Sequence, residues 1–149
     1  MSTEENKAVV RRWFDEVLSQ GDMGALDSIC AECHPQFAVI RGVMEPAPLG
    51  MSGLRSLIAS LRSAFPDLQA TVEEQIAEGD KVVSRVTMRG TQRGEFNGMP
   101  ATGKSFTISG VSIWEVRGNL LIQEWVNWDA LGMMQQLGAI PAPMEAAAR

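Results

Sequence analysis

Two carboxylates and two tryptophans crowd the stretch GNLLIQEWVNWDALGMMQQL at residues 118–137. Glu124 stands among apolar neighbours, and Trp125, Asn127, Trp128 and Asp129 follow within five positions. A carboxyl group removed from water holds its proton more tightly and can exchange it near neutral pH, which is general acid/base chemistry. Polar groups set between large aromatics are also how a ligand cavity is lined. Glu124 and Asp129 are therefore the candidate acid/base residues. An inward Glu124 suits proton transfer, whereas an outward one is a solvated or interface charge. Asp129 precedes Ala130, Leu131 and Gly132, so its side chain can instead cap a helix. Strand alternation puts Glu124, Val126 and Trp128 on one face and Trp125, Asn127 and Asp129 on the other. The two acids share a cavity only if a bulge intervenes.

Other positions could serve a ligand. Arg85, between Val82 and Met88, is the candidate buried cation; it would pair with Glu124 across a cavity floor or touch substrate. Ser112 and Trp114 lie on a strand whose small, polar and aromatic residues, Ser109 and Gly110 included, suit ligand contact. With Trp125 and Asn127 these make up the expected binding set. Trp13, Phe14, Phe65 and Trp125 fit an ordinary core as well. Cys30-Ala31-Glu32-Cys33-His34 has the spacing of a haem-attachment or redox motif, and equally of two small hydrophobic cysteines at a helix end. The chain has one histidine, His34 beside the two cysteines; no Ser-His-Asp triad is expected, and no zinc ligand set is complete. No metal and no cofactor are expected.

Elements must hold these groups. Ser2, Thr3, Glu4, Glu5 has capping-box spacing, and Val9, Val10, Trp13, Phe14, Val17 and Leu18 then form one helical face. Gly21 and Asp22 stop that helix, and residues 23–29 make a second. A brief strand at 37–40 and a Pro/Gly-rich loop at 45–50 precede a third helix, capped by Ser52 and striped by Leu54, Leu57, Ile58, Leu61 and Phe65. Strands are predicted at 70–77, 81–89, 106–116 and 120–128, with turns at Gly79-Asp80 and Gly118-Asn119 and a loop or irregular hairpin at 90–103. Helices followed by meandering strands predict an α+β fold, with a strongly curved, mostly antiparallel sheet wrapped around N-terminal helices as a cone-shaped barrel. Residues 1–140 read as one domain and 141–149 as a mobile tail.

Composition narrows the partners. With 45% hydrophobic and 21% charged residues, the chain reads as an ordinary globular protein. A net charge of -5 disfavours nucleic acid and anionic membrane. No run approaches the roughly 20 apolar residues of a membrane span. The polar, acidic start lacks the pattern of a signal peptide, so a cytoplasmic protein is expected.

Several motifs occur together in order: Phe65-Pro66-Asp67-Leu68; Glu78-Gly79-Asp80-Lys81-Val82-Val83 with Arg85; and Gly90-Thr91. Gly94-Glu95-Phe96-Asn97-Gly98, Pro100-Ala101-Thr102-Gly103-Lys104, Trp125 to Asp129 and Gln135-Gln136-Leu137-Gly138 continue the series. This ordered set resembles the SnoaL-like polyketide cyclase family of the nuclear-transport-factor-two-like superfamily. The resemblance implies a cone-shaped α+β barrel with an apolar cavity, commonly a homodimer or higher homo-oligomer. It also implies an intramolecular aldol ring closure by an aspartate acid/base without a cofactor. The family's last-strand His-Trp-Asp corresponds here to Glu124-Trp125-Val126, and Asp129 matches an aspartate common at that point. The steroid isomerases and epoxide hydrolases of this superfamily use a tyrosine. This chain has none, and Arg85-Val86-Thr87 lacks the second acid of the hydrolase pair. The expected function is a cofactor-independent cyclase or isomerase acting on a hydrophobic small molecule. The alternative is a non-catalytic small-molecule-binding module of the same fold.

Overall fold

Ser2 opens the first helix, α1 (Thr3–Arg12), by accepting the Glu5 N–H at 3.1 Å, while the Glu5 carboxylate accepts the Ser2 N–H at 3.2 Å. This reciprocal pair satisfies two donors that a helix start leaves orphaned. The computed structural model to which this helix belongs describes residues 2–30 and 50–141. Cys33, His34, the strand expected at 37–40, the loop at 45–49 and the tail from 142 onward lie outside the described residues.

α1 widens into a π-helical segment, Trp13–Leu18, where the Ser19 N–H reaches back five residues to the Phe14 carbonyl. The predicted stripe Val9, Val10, Trp13, Phe14, Val17 and Leu18 is buried throughout. Asp22 caps α2 (Met23–Ile29) by accepting the Ala25 N–H at 2.9 Å. α3 (Gly50–Ala64) begins two residues ahead of the expected Ser52 and buries Leu54 and Ile58. Near its end, Arg62 donates to the carbonyls of Ser19 (3.0 Å), Leu68 (2.9 Å) and Pro66 (2.9 Å). One guanidinium thus ties α3 to the π-helical segment and to the entry of the sheet.

Four antiparallel strands follow in spatial order β1-β2-β3-β4: β1 (Gln69–Glu78), β2 (Lys81–Thr91), β3 (Ser105–Arg117) and β4 (Leu120–Trp128). Gly118 and Asn119 link the last pair with φ of 56° and 65°, the left-handed pair that a two-residue hairpin turn needs. Between β2 and β3 the predicted irregular stretch is organised by Gln92, whose buried amide reaches the Met99 and Pro100 carbonyls at 3.3 and 3.2 Å. β1 and β4 each carry one unpaired extra residue, Glu73 and Ile122. Such bulges bend and twist a sheet. α4 (Ala130–Gln136) follows β4, and its Met133 packs with Phe65, Phe106 and Leu137.

Helices and sheet meet along the sheet's inner face, giving the expected α+β fold. Trp13 of the π-helical segment stands edge-on to Trp114 of β3, centroids 5.2 Å apart. Phe65 meets Phe106 and Phe96 in the same way at 5.0 and 5.1 Å. The outer face carries an apolar row in strict register, Ile76, Val83, Ile113 and Trp125, one residue per strand. Ile76 and the neighbouring Val111 are 65% and 46% exposed.

Gly110, grouped in the sequence with ligand-facing positions, has a packing role instead. A Cβ there would lie 2.3 Å from Cε3 of Trp128, far inside contact distance, so the missing side chain makes room for the indole. Gly110→Ala is expected to cost about 1–3 kcal/mol, the usual cost of overpacking. Denaturant melts should record this loss, and a smaller one in a Trp128→Leu background.

Candidate functional site

Glu124 projects from β4 into the core and is 3% exposed. The bulge sets this direction. Leu121 pairs with Val116 and Gln123 with Glu115, so Ile122 is skipped, and Leu121 and Glu124, three residues apart, both point inward. Beyond the bulge, alternation holds: Val126 is buried, whereas Trp125 and Asn127 face out.

The neighbouring strand supplies the carboxylate's partners. Ser112 donates its hydroxyl to Glu124 Oε2 at 2.8 Å, and the Trp114 side chain stands directly across the ladder from the acid. Ser112 and Trp114 are themselves 1% and 0% exposed. Burial pushes the Glu124 carboxyl from its ordinary 4.5 up to about 7, against the downward pull of Ser112 and Trp114. Removal from water outweighs these two neutral neighbours, and a group poised near neutrality can both take and return a proton.

Cys30, at the end of α2, runs beside β4 through a parallel bridge to Leu121. Its buried thiol is pushed up to about 12 by desolvation, with Asp27 and Glu124 adding to the effect. Such a thiol stays protonated and is neither a nucleophile nor a ready metal ligand. Among the described residues, no three or more His, Cys, Asp or Glu gather where they could hold a metal.

The other expected site residues lie elsewhere. Arg85 is not a buried cation under Glu124; it faces outward, about half exposed, with Nε 2.9 Å from Glu74 Oε1. Its apolar chain neighbours Val82 and Val86 point to the opposite face. Asn127 is exposed, and Trp125 is half-buried on the outer face beneath the Lys81 ammonium, 5.5 Å from its ring centre. Asp129 is exposed and accepts the Gly132 N–H at 2.9 Å, the helix-capping alternative. The structure thus brings together Glu124, Ser112 and Trp114 and separates them from Arg85, Trp125, Asn127 and Asp129.

Ser84 and Gln75 escaped the sequence reading. Ser84 is fully buried and accepts a hydrogen bond from Gln75 Nε2 at 3.2 Å. The available signal was a lone hydroxyl in the inward series Val82, Ser84, Val86, Met88. Two surface grooves, of about 500 Å³ beside Arg11, Asp15, Ser19 and Gln69 and about 320 Å³ beside Glu4, Lys7, Arg11 and Gln75, do not include Glu124 in their walls.

A model of the SnoaL-like polyketide cyclase family matches residues 8–137. The chain belongs to this family. A SnoaL-like fold is also found in solved structures over nearly the whole chain. A candidate polyketide cyclase from Acidithiobacillus ferrooxidans is 31% identical with a TM-score of 0.79, covering 93% of this chain and 99% of that one. TsrD from Streptomyces laurentii is 29% identical with a TM-score of 0.79 over 94% and 99%. IdmH from Streptomyces antibioticus, a candidate polyketide cyclase, is 26% identical with a TM-score of 0.77 over 89% and 98%. No curated protein matches the chain significantly. Where the resemblance puts the SnoaL-like acid, this chain has Val126, buried on the same face as Glu124. One same-face step along a strand is about 7 Å.

Folded Glu124 holds its proton more tightly than the unfolded chain does. Between pH 4.5 and about 7 unfolding therefore releases a proton, and rising pH favours the unfolded state. The contribution is fully present below the lower value and is lost by the upper one, roughly 3 kcal/mol in all. Glu124→Gln should flatten this slope. The variant is expected to match the wild type near pH 4 and to exceed it in denaturant melts above pH 7.

Proposed function

We propose that this SnoaL-like protein is a cofactor-independent cyclase or isomerase in which Glu124 is the general base. The observation that carries the reading is a carboxyl group buried on the inner face of the last strand, held by the Ser112 hydroxyl across from the Trp114 indole and pushed by burial toward pH 7. The substrate class is a hydrophobic small molecule with a C–H made acidic by an adjacent carbonyl, since apolar residues surround the acid.

In the first step ionised Glu124 takes that proton, and the C–H electron pair moves into an enolate. Ring closure follows when the enolate carbon attacks a second carbonyl of the same molecule. A C–C bond forms, and the new alkoxide takes the proton back from Glu124. Return of the proton to a different carbon gives isomerisation instead. Neither route has a net oxidant or reductant. Ser112 and Trp114 serve both states: they stabilise the ionised base, and once it is protonated their donors are released for developing negative charge on substrate oxygen. Arg85 and Asn127 have no part in this scheme, because both lie on the outer face.

A second reading, a binding module without turnover, draws support from the same strand: Val126 cannot carry a proton and Asp129 is engaged as a cap. Assay with small β-dicarbonyl and polyketide-like carbonyl compounds separates the two. Under the catalytic reading, Glu124→Gln keeps ligand affinity and lowers kcat by at least about 10²-fold, the lower bound for a lost general base. The wild-type kcat/KM should climb with pH to a plateau, with its midpoint near 7. Ligand-dependent thermal stabilisation with no product from either protein supports the binding module instead.

A second copy of the chain is the proposed occupant of the outer face. The row Ile76, Val83, Ile113 and Trp125 is continuous across four strands, and beside it Arg85 and Glu74 offer one charge of each sign to a two-fold mate. Light scattering should give twice the chain mass for the wild type and a monomer for Ile76→Lys with unchanged circular dichroism.

A further inference from the structure

A line of polar side chains crosses the inner face of the sheet, which is otherwise mostly apolar. Gln75 of β1 stands opposite Ser84 of β2, and Ser84 stands opposite Ser112 of β3. Ser112 donates to Glu124 of β4. The inward positions on either side are Val82 and Val86 on β2 and Gly110 and Trp114 on β3. Ser84 and Ser112 are 0% and 1% exposed. Burying a hydroxyl is costly unless hydrogen bonds replace its water, so two of them in register, the second bonded diagonally to a buried acid, call for a physical reason.

The line has a direction. Gln75 Nε2 donates to Ser84 Oγ at 3.2 Å and to the Lys7 carbonyl at 3.3 Å. An amide nitrogen only donates and an ionised carboxylate only accepts, so the two ends fix the sense of the middle. Among the described residues, the one hydrogen bond of the Ser84 hydroxyl is the one it accepts from Gln75. Its proton is left for Ser112, whose side chain, as a directly opposed neighbour, is about 5 Å away at Cβ. Ser112 has already committed its own proton to Glu124. Among the described residues no hydrogen bond joins Ser84 to Ser112 as they stand; a turn of the Ser84 hydroxyl toward Ser112 completes a line in which each member accepts on the β1 side and gives on the β4 side, and hydrogen bonds aligned in this way strengthen one another.

We infer that Gln75, Ser84 and Ser112 form a polarised donor row that orients the Glu124 carboxylate and sets its hold on a proton. Gln75 and Ser84 are then positioning residues acting through Ser112, and the inference rests on the reading of Glu124 as an acid/base. The row begins at the 320 Å³ groove beside Glu4, Lys7 and Arg11 and ends at the buried acid. The elements packed on this face bring few competing charges. α1 and the π-helical segment turn Asn6, Val9, Val10, Trp13, Phe14 and Val17 inward, and α3 turns in Leu54 and Ile58. Among the described residues the titratable neighbour is Cys30 at the end of α2, whose protonated thiol is neutral.

The test reads the carboxyl group itself. Protein labelled with ¹³C at the glutamate side-chain carboxyls is titrated by NMR as wild type, Ser84→Ala, Ser84→Thr and Gln75→Leu, with Glu124→Gln assigning the signal. Loss of the row is expected to raise the proton affinity of Glu124 about threefold to tenfold, a half to one unit in the midpoint. This rise should appear in Ser84→Ala and Gln75→Leu and be reversed in Ser84→Thr, which keeps a hydroxyl. Folded Ser84→Ala and Gln75→Leu proteins that titrate like the wild type would overturn the inference and leave the row as packing alone. If Ser84→Ala does not fold, Gln75→Leu, at the half-buried end, decides alone. Turnover is a separate readout: activity surviving in Glu124→Gln sinks the acid/base reading even where the titration midpoint has moved.

Discussion

A carboxyl group enclosed by an apolar core must find partners in the protein for the hydration it has lost, and the kind of partner decides its chemistry. A cation beside Glu124 would have held it ionised far below neutrality. Its partners are instead a hydroxyl and an indole, which soften the cost of charge without fixing it. The ion pairs Arg12–Glu16, Arg55–Asp27 and Arg85–Glu74 are all found among partly or largely exposed side chains. Among the described residues, the charged side chains other than Glu124 and Glu115, which pairs with Arg117, are at least partly exposed.

The rest of the architecture follows from holding that group dry. The π-helical segment brings Trp13 against Trp114, the same indole that stands across the ladder from Glu124. Packing and electrostatics therefore share a side chain, and a change in helix position is felt at the acid. Arg62 ties α3 to the π-helical segment and the sheet entry from the far side. The family fold is matched over residues 8–137, and position 126, where the resemblance puts an acid, carries a valine buried within this frame.

Much of the frame was readable because burial imposes periodicity. The stripe of α1, the hairpin turns and the bounds of β4 follow from spacing alone. Arg85 misled because its chain neighbours are apolar, yet in a strand adjacent residues face opposite ways; Val82 and Val86 report on the other side of the sheet. Asp129 was readable as a cap from its place directly before Ala130, Leu131 and Gly132, while its alternative role needed a cavity that alternation already denied. The inward direction of Glu124 could not be read, because Leu120, Leu121 and Ile122 are apolar at both phases. Ser84 could have been noticed as the lone polar residue in an inward series, but its register with Gln75 and Ser112 exists only once the strands are paired.

The skipped residue in β4 has a consequence for how such proteins diversify. Because side chains alternate, one inserted or deleted residue reverses the face of everything on one side of it. The unpaired Ile122 acts as a parity switch located two positions ahead of the acid. Were Ile122 paired with Glu115 instead, with the pairing at the hairpin end kept, every later residue would move one position along β3, turning Glu124 and Val126 toward solvent and Trp125 and Asn127 toward the core. The same letters would then specify a different interior. In this sheet the identity of the buried acid is written in the phase of the strand as much as in its residues, and single-residue insertions are a route by which a fixed fold exchanges one active surface for another.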